Sequence, residues 1–315
     1  MRNDNVLPLG GAPLRAPAAP RLQVEWPTLA LLAGCYAAWA AVTAAAGALG
    51  PALAIPLTAA TLALHSSLQH EVLHGHPLSR RAWSEALVFP ALGLAVPYQR
   101  FRDLHLAHHR DESLTDPYDD PESNYLDPAV WARLPRWRRA VLRANNTLLG
   151  RMALGPAVTL LPWWREEARA ARAGDRAIRR AWALHALGVA PVALWLATVG
   201  TIPVWAYLAA AYLGLSILKI RTFLEHRAHE KAAGRSVIIE DRGPLALLFL
   251  NNNLHAVHHA HPKVPWYALP DFYAARRDMF LAKNRGYRYR SYAEVFRAHF
   301  LRAKDPVPHP LRPRG

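Results

Sequence analysis

Cysteine is almost absent from this 315-residue chain. The one thiol, Cys35, excludes an intramolecular disulfide, a thiolate zinc site and an iron–sulfur cluster held by this chain alone. Charge is missing from two long stretches: residues 27–68 and residues 182–218 hold no Asp, Glu, Lys or Arg. A bilayer crossing needs roughly 20 apolar residues, so each stretch is long enough for two. Gly50-Pro51 supplies a turn in the first, and Gly200-Thr201-Ile202-Pro203 in the second. Acidic residues are outnumbered, 23 against 38 basic ones, for a net charge of +15 and a pI near 10.5. That balance alone would suit nucleic acid, but no nucleic-acid-binding motif accompanies it. Seventeen arginines fall within residues 77–180, while the two turns carry no charge. This is the positive-inside pattern, and it predicts cytoplasmic arginine-rich loops, cytoplasmic termini and contact with anionic lipid headgroups. Residues 1–25 lack the apolar core of a secretory signal and are expected to be a mobile cytoplasmic tail.

Histidine, by contrast, is abundant and grouped. His255, His258 and His259 follow the spacing i, i+3, i+4, and so do His105, His108 and His109. A looser cluster is His70-Glu71-Val72-Leu73-His74, with His76 beyond it. At helical spacing each cluster sets its imidazoles on one side of a turn or two. Neutral imidazole suits iron, zinc and copper. Three such clusters point to a metal centre.

The expected layout brings them together. The first span runs from Trp26, an interface anchor, to about Leu49, and the second from Pro51 to about Leu68. Two crossings return the chain to the cytoplasm at His70. The apolar run Ala86–Pro97 is too short to cross and is expected to be a shallow re-entrant or interfacial segment, leaving His105 on the same side. Residues 131–180 predict amphipathic surface helices; Leu148–Trp164 is apolar enough for an extra span, but Arg151 and two prolines oppose it. Ala181–Val199 and Ile202–Lys219 form the second hairpin, which delivers His226 and His229 to the cytoplasmic face. His226 lies nearer the span that would fix it and is preferred as a further ligand. His65 and His185, inside spans, are expected to be hydrogen-bonded packing residues. The acidic loop at 111–122 reads as Asp-Pro turns that also offer carboxylates to orient imidazole N–H groups. Asp111 and Asp116 are the first choices there, with Glu225 beside His226. Residues 271–315 are expected to be a basic cytoplasmic tail with a peripheral helix and a disordered end, in which His299 and His309 are surface residues.

The first cluster alone is an H-E-x-x-H motif, which in zinc proteases supplies two ligands and a glutamate base. A membrane zinc metalloprotease acting through His70-Glu71-Val72-Leu73-His74 is therefore one alternative. It needs one more ligand and leaves the H-x-x-H-H clusters without a role. A zinc transporter would place ligands partway through the spans, whereas these lie beyond the span ends. Two metals at a fixed site beside the membrane account for all three clusters.

The set H-x-x-x-H, H-x-x-H-H and H-x-x-H-H, spread among four spans over Trp26–Pro270, resembles the integral-membrane fatty acid desaturase family, with its related hydroxylases and ketolases. The resemblance implies an all-α integral membrane fold of two hairpins and a cytoplasmic helical cap. It also implies two irons, dioxygen as oxidant and two electrons from outside, spent on removing hydrogen from an unactivated C–H bond. The ligands it implies are His70, His74, His105, His108, His109, His226, His255, His258 and His259. Asn251 or Asn253 would hold a water near one metal. No His-Pro-Gly-Gly segment of a fused cytochrome b5 domain is present, so the donor is expected to be a separate ferredoxin, rubredoxin or cytochrome b5 with its reductase. The compact chain and the Leu-Thr-Asp-Pro after the second cluster are similar to small bacterial members, which implies a bacterial inner membrane. Some of those act on hydrocarbons or amino-acid-derived small molecules rather than acyl lipids.

Overall fold

The computed structural model describes residues 24–109 and 114–312. Of the expected tail 1–25, only Val24 and Glu25 fall within them. Both are tied down: Val24 forms an antiparallel bridge with Leu78, Glu25 N–H donates to Pro77 O at 3.0 Å, and the Glu25 carboxylate meets His76 Nδ1 at 2.6 Å.

The chain starts with α1 (Trp26–Ala44), a short α2 (Ala46–Leu49) and α3 (Pro51–Leu73). Gly50, at φ 71°, makes the turn before Pro51, where a missing N–H costs a helix start nothing. Next come α4 (Arg81–Leu87), α5 (Tyr98–His108), α6 (Pro128–Arg133), α7 (Arg136–Asn145), α8 (Leu148–Arg172), α9 (Arg176–Thr198) and α10 (Val204–Thr222). Among the described residues, four helices are long and apolar enough to cross a membrane: α1, α3, α9 and α10. The equally long α8 is not among them; Arg151 is buried at its start, donating to Asn145 O at 2.9 Å, and Pro156 and Pro162 lie inside it. Among the described residues the fold is all-α but for one pair of two-residue strands.

The second pair of spans differs from a simple hairpin. α10 packs chiefly along α3, because Gly214 lets the backbones close: a Cβ there would lie 3.1 Å from Ala59 O. Residues 88–97, irregular in backbone, wedge between α9 and α10. Ala91 N–H donates to Gly188 O (3.0 Å), His185 Nε2 to Leu94 O (2.9 Å) and Tyr207 Oη to Leu92 O (2.8 Å). Irregular backbone between apolar spans is tolerated only where protein satisfies its polar groups, and these bonds satisfy one N–H and two carbonyls of the segment. A Cβ at Gly188 would sit 2.5 Å from Phe89 O, so only glycine admits the wedge.

The rest of the chain caps the ends of α3 and α10 that lead to His70 and His226. It comprises β1 (Ile238–Ile239), α11 (Pro244–Leu248), α12 (His255–Ala260), α13 (Leu269–Ala274), α14 (Arg277–Lys283), β2 (Arg288–Tyr289) and α15 (Tyr292–His299). Residues 271–312 do not form a loose appendage. β2 pairs in parallel with β1, Ile238 opposite Arg288. Tyr287, Tyr292 and Val295 join Leu148, Ile220 and Phe223 in one buried cluster, and Lys304 Nζ donates to His226 O.

Candidate metal centre

The nine histidines converge in two groups. His70, His74, His105, His109 and His258 form one, and His108, His226, His255 and His259 the other; within each, the ligand-capable atoms lie within 4.8 Å of one another. The groups abut: the His109 and His259 rings stack with centroids 4.0 Å apart. The helix explains the partition. Residues i and i+4 are about 40° apart around the axis, while i+3 lies roughly 60° to the other side. Each i, i+4 pair therefore stays together (70 with 74, 105 with 109, 255 with 259), and each i+3 histidine, His108 or His258, turns to the neighbouring group.

Outer contacts orient these rings. His105 Nδ1 meets Glu122 Oε1 at 2.8 Å, and His108 Nδ1 meets Asp120 Oδ1 at 2.7 Å. His255 Nδ1 faces Asn252 Oδ1 at 3.1 Å, and His226 Nδ1 faces Ser236 Oγ at 3.2 Å. An acceptor on Nδ1 assigns the proton there and leaves the Nε2 lone pair facing inward. His226 and His255 then meet Nε2 to Nε2 at 3.0 Å, and His105 Nε2 lies 3.0 Å from His70 Nε2. Lone pairs so close repel unless a cation lies among them. In addition, buried His74 Nε2, both ring nitrogens of His109, His258 Nε2 and His259 Nε2 have no hydrogen-bond partner among the described residues. Unpaired buried nitrogens are costly. The donor set therefore fits metal ions. Five imidazoles in one group also exceed the four ligands of tetrahedral zinc.

The electrostatics agree. Burial, reinforced by the surrounding imidazoles, pushes the pKa of His74, His255, His258 and His259 far below the usual imidazole range, and that of His109 to about 3. Burial does the same to His226, with the charge on His108 adding to it. These rings stay neutral and available to metal. His108 moves the opposite way, to about 9: burial is outweighed by the Asp120 hydrogen bond and the nearby Glu122. Burial opposes ionisation of Glu122, yet the charge and hydrogen bond of His105 hold its carboxyl well below the usual range.

The expected outer partners fare unevenly. Asp111 lies outside the described residues. Asp116 does not meet an imidazole: it pairs with Arg312 and caps the N–H groups of Tyr118 (2.9 Å) and Asp119 (3.2 Å). Asp120 and Glu122, from the same loop, fill the orienting role and were not singled out in the sequence. Glu225 is buried, 3.7 Å from His255 Nδ1 and 3.1 Å from Arg221 Nε. Asn251 Nδ2 donates to Trp266 O at 2.9 Å, and Asn253 Nδ2 to Ile239 O at 2.6 Å, so both hold backbone. The asparagine between them, Asn252, faces His255. His229 bonds to Lys231 and stands outside both groups, as does His76. His65 meets Tyr36 Oη at 3.2 Å. Glu71, the base of the protease reading, accepts from Trp266 N–H at 3.2 Å instead of facing the imidazoles.

A cavity of about 230 Å³ lies between α3, α8, α10 and residues 91–96. Leu62, Leu160 and Leu215 line its apolar part, and Gln69, Lys219 and Arg221 the part toward the imidazoles. A groove of about 400 Å³ shares Gly93, Leu94 and Leu215 with it and reaches Leu161, Trp164 and Leu208, which are exposed on the apolar flank.

Four helices apolar enough to span a membrane thus lead to a histidine-rich cluster that could hold metal, with an apolar cavity nearby. Residues 46–292 match the family model described as Fatty acid desaturase, and the chain belongs to that family. No curated protein matched it.

Proposed function

We propose that the protein is a dioxygen-dependent desaturase of an aliphatic substrate, using two irons held by the nine histidines and electrons from a separate donor. The observation that carries this reading is the pair of abutting, all-imidazole groups, with the cavity residue Gln69 next in the chain to His70. Bound iron would supply the oxidising power that an unactivated C–H bond requires. The chain's own contribution is positional. Asp120, Glu122, Asn252 and Ser236 hold ring protons on the outer nitrogens, so the inner ones remain free. Leu62, Leu160 and Leu215 exclude water and align an apolar chain, and the groove past Trp164 admits it from the lipid side. Exposed Arg133, Arg136, Arg138 and Arg143, beside exposed Trp137, form a basic face suited to an acidic ferredoxin-like donor. By the positive-inside rule that face and the metal centre are cytoplasmic in an inner membrane.

The test is expression under iron-replete conditions with a ferredoxin and its reductase, followed by metal analysis and mass spectrometry of host lipids and added aliphatic substrates. Two irons per chain and a product short of hydrogen are expected; His258→Ala should abolish the product and weaken the iron of its own group. An added oxygen in place of lost hydrogen would make the enzyme a hydroxylase. One zinc, no iron and proteolysis abolished by Glu71→Gln would overturn the proposal.

A further inference from the structure

The cavity contains one charge that the fold leaves open. Lys219 lines it and has no hydrogen bond or ion pair among the described residues. The charged groups near enough to act on it are Arg151, Glu122, Glu225 and Arg221. Both carboxylates are engaged elsewhere: Glu122 with His105 at 2.8 Å and Glu225 with Arg221 at 3.1 Å. Arg151 is spent on Asn145 O and Asn124 Oδ1. Lys219 and Arg221 both line the cavity, and of the two only Lys219 lacks an ion-pair partner among the described residues. Its stem is also guided there. A Cβ on Gly155 of α8 would come within 3.3 Å of Lys219 Cγ, so the lysine passes α8 where that helix has no side chain. An ammonium placed this way inside a membrane fold marks a ligand path more than a structural need.

We propose that Lys219 receives the anionic end of the substrate, so the cavity takes an aliphatic carboxylate in its free, unesterified form. This rests on the desaturase reading and narrows it. One ammonium matches one carboxylate. A carrier-linked thioester has no charge at its acyl end, and a phosphate-bearing carrier would need several cations where the neighbouring Arg221 is already paired. The apolar lining then takes the chain, and Gln69, one residue before His70, lines the same cavity with its amide already donating to Val88 O at 3.4 Å. The carboxylate would lie at the metal end of the cavity, so reaction is expected near the carboxyl group and not far along the chain.

The experiment uses the full purified chain in a neutral maltoside detergent, with dodecanoate and methyl dodecanoate competing against a fluorescent fatty acid. Wild type should prefer dodecanoate by about tenfold to a hundredfold, the range for a charge-assisted hydrogen bond in a shielded site. Lys219→Met should erase that preference while keeping the affinity for the ester, and Lys219→Arg should retain part of it. Equal binding of acid and ester by wild type, or an intact preference in Lys219→Met, would overturn the proposal and leave a lysine that merely reaches for the interface. The wild-type comparison stands even if Lys219→Met fails to fold. Metal content is measured on the same samples. Two bound irons without acid preference sink this inference alone, whereas acid preference without two irons sinks the desaturase reading alone.

Discussion

Asp120→Asn is the substitution that best tests how the metal centre is held. One carboxylate oxygen of Asp120 accepts from His108 Nδ1 at 2.7 Å and from Glu122 N–H at 2.9 Å; the other accepts from Thr115 N–H at 2.8 Å. An asparagine can reproduce only one side. If its oxygen keeps His108 and Glu122, its NH2 faces the Thr115 N–H, donor against donor in a site where Asp120 is 5% exposed. Leaving that N–H unpaired costs about 1–3 kcal/mol of stability. His108 keeps its tautomer but loses a charged acceptor, and losses of about tenfold to a hundredfold in metal affinity are typical for such partners. The deficit should fall on the group of His108, His226, His255 and His259 and spare the five-histidine group. Chelator competition followed by metal counting should find one weakly and one normally bound iron per chain, with a lowered melting temperature. Asp116→Asn serves as the control: it faces Arg312, so both irons should stay at wild-type affinity. The reasoning fails if Asp120→Asn binds both metals normally, or if Asp116→Asn is the variant that loses one.

Tyr207→Phe removes the hydroxyl that donates to Leu92 O and accepts from Trp39 Nε1 at 3.1 Å. About 1–2 kcal/mol should be lost, read as a lower detergent-melt temperature with faster proteolysis around residues 88–97. Glu240 provides the acid test of the cap. Its bond to Arg277, against some burial and with help from Tyr273, holds its carboxyl at about 2 instead of 4.5. A depressed carboxyl contributes stability that is complete above about pH 4.5 and is lost as the pH falls toward about 2. Melting curves of Glu240→Gln should therefore be flatter than wild type across that window, and parallel curves would refute the assignment.

Absence of charge made the spans legible, since nothing in 27–68 or 182–218 could stop a crossing helix. The shortness of Ala86–Pro97 likewise pointed to a segment that enters without crossing. Neither feature carries pairing information, so the wedge between α9 and α10 and the closeness of α10 to α3 came only with the backbone carbonyls and with Gly188 and Gly214 in place. Histidine spacing marked which residues gather, but the division between groups depends on small angles around α5 and α12. The orienting residues were harder to see. Asp120 and Glu122 stand 12 and 17 residues from their histidines across a turn-rich loop without periodicity, and three consecutive asparagines look alike until one faces His255. The C-terminal segment concealed its role for a similar reason: a two-residue strand has no pattern to read.

The crossing over of His108 and His258 has a consequence for how the centre assembles. Each of α5 and α12 gives histidines to both groups, so neither helix belongs to one group alone. Rotating either about its axis opens one group as it closes the other. The second and third clusters therefore interlock like two hands with fingers exchanged: the two groups share their helices, although each keeps its own outer partners.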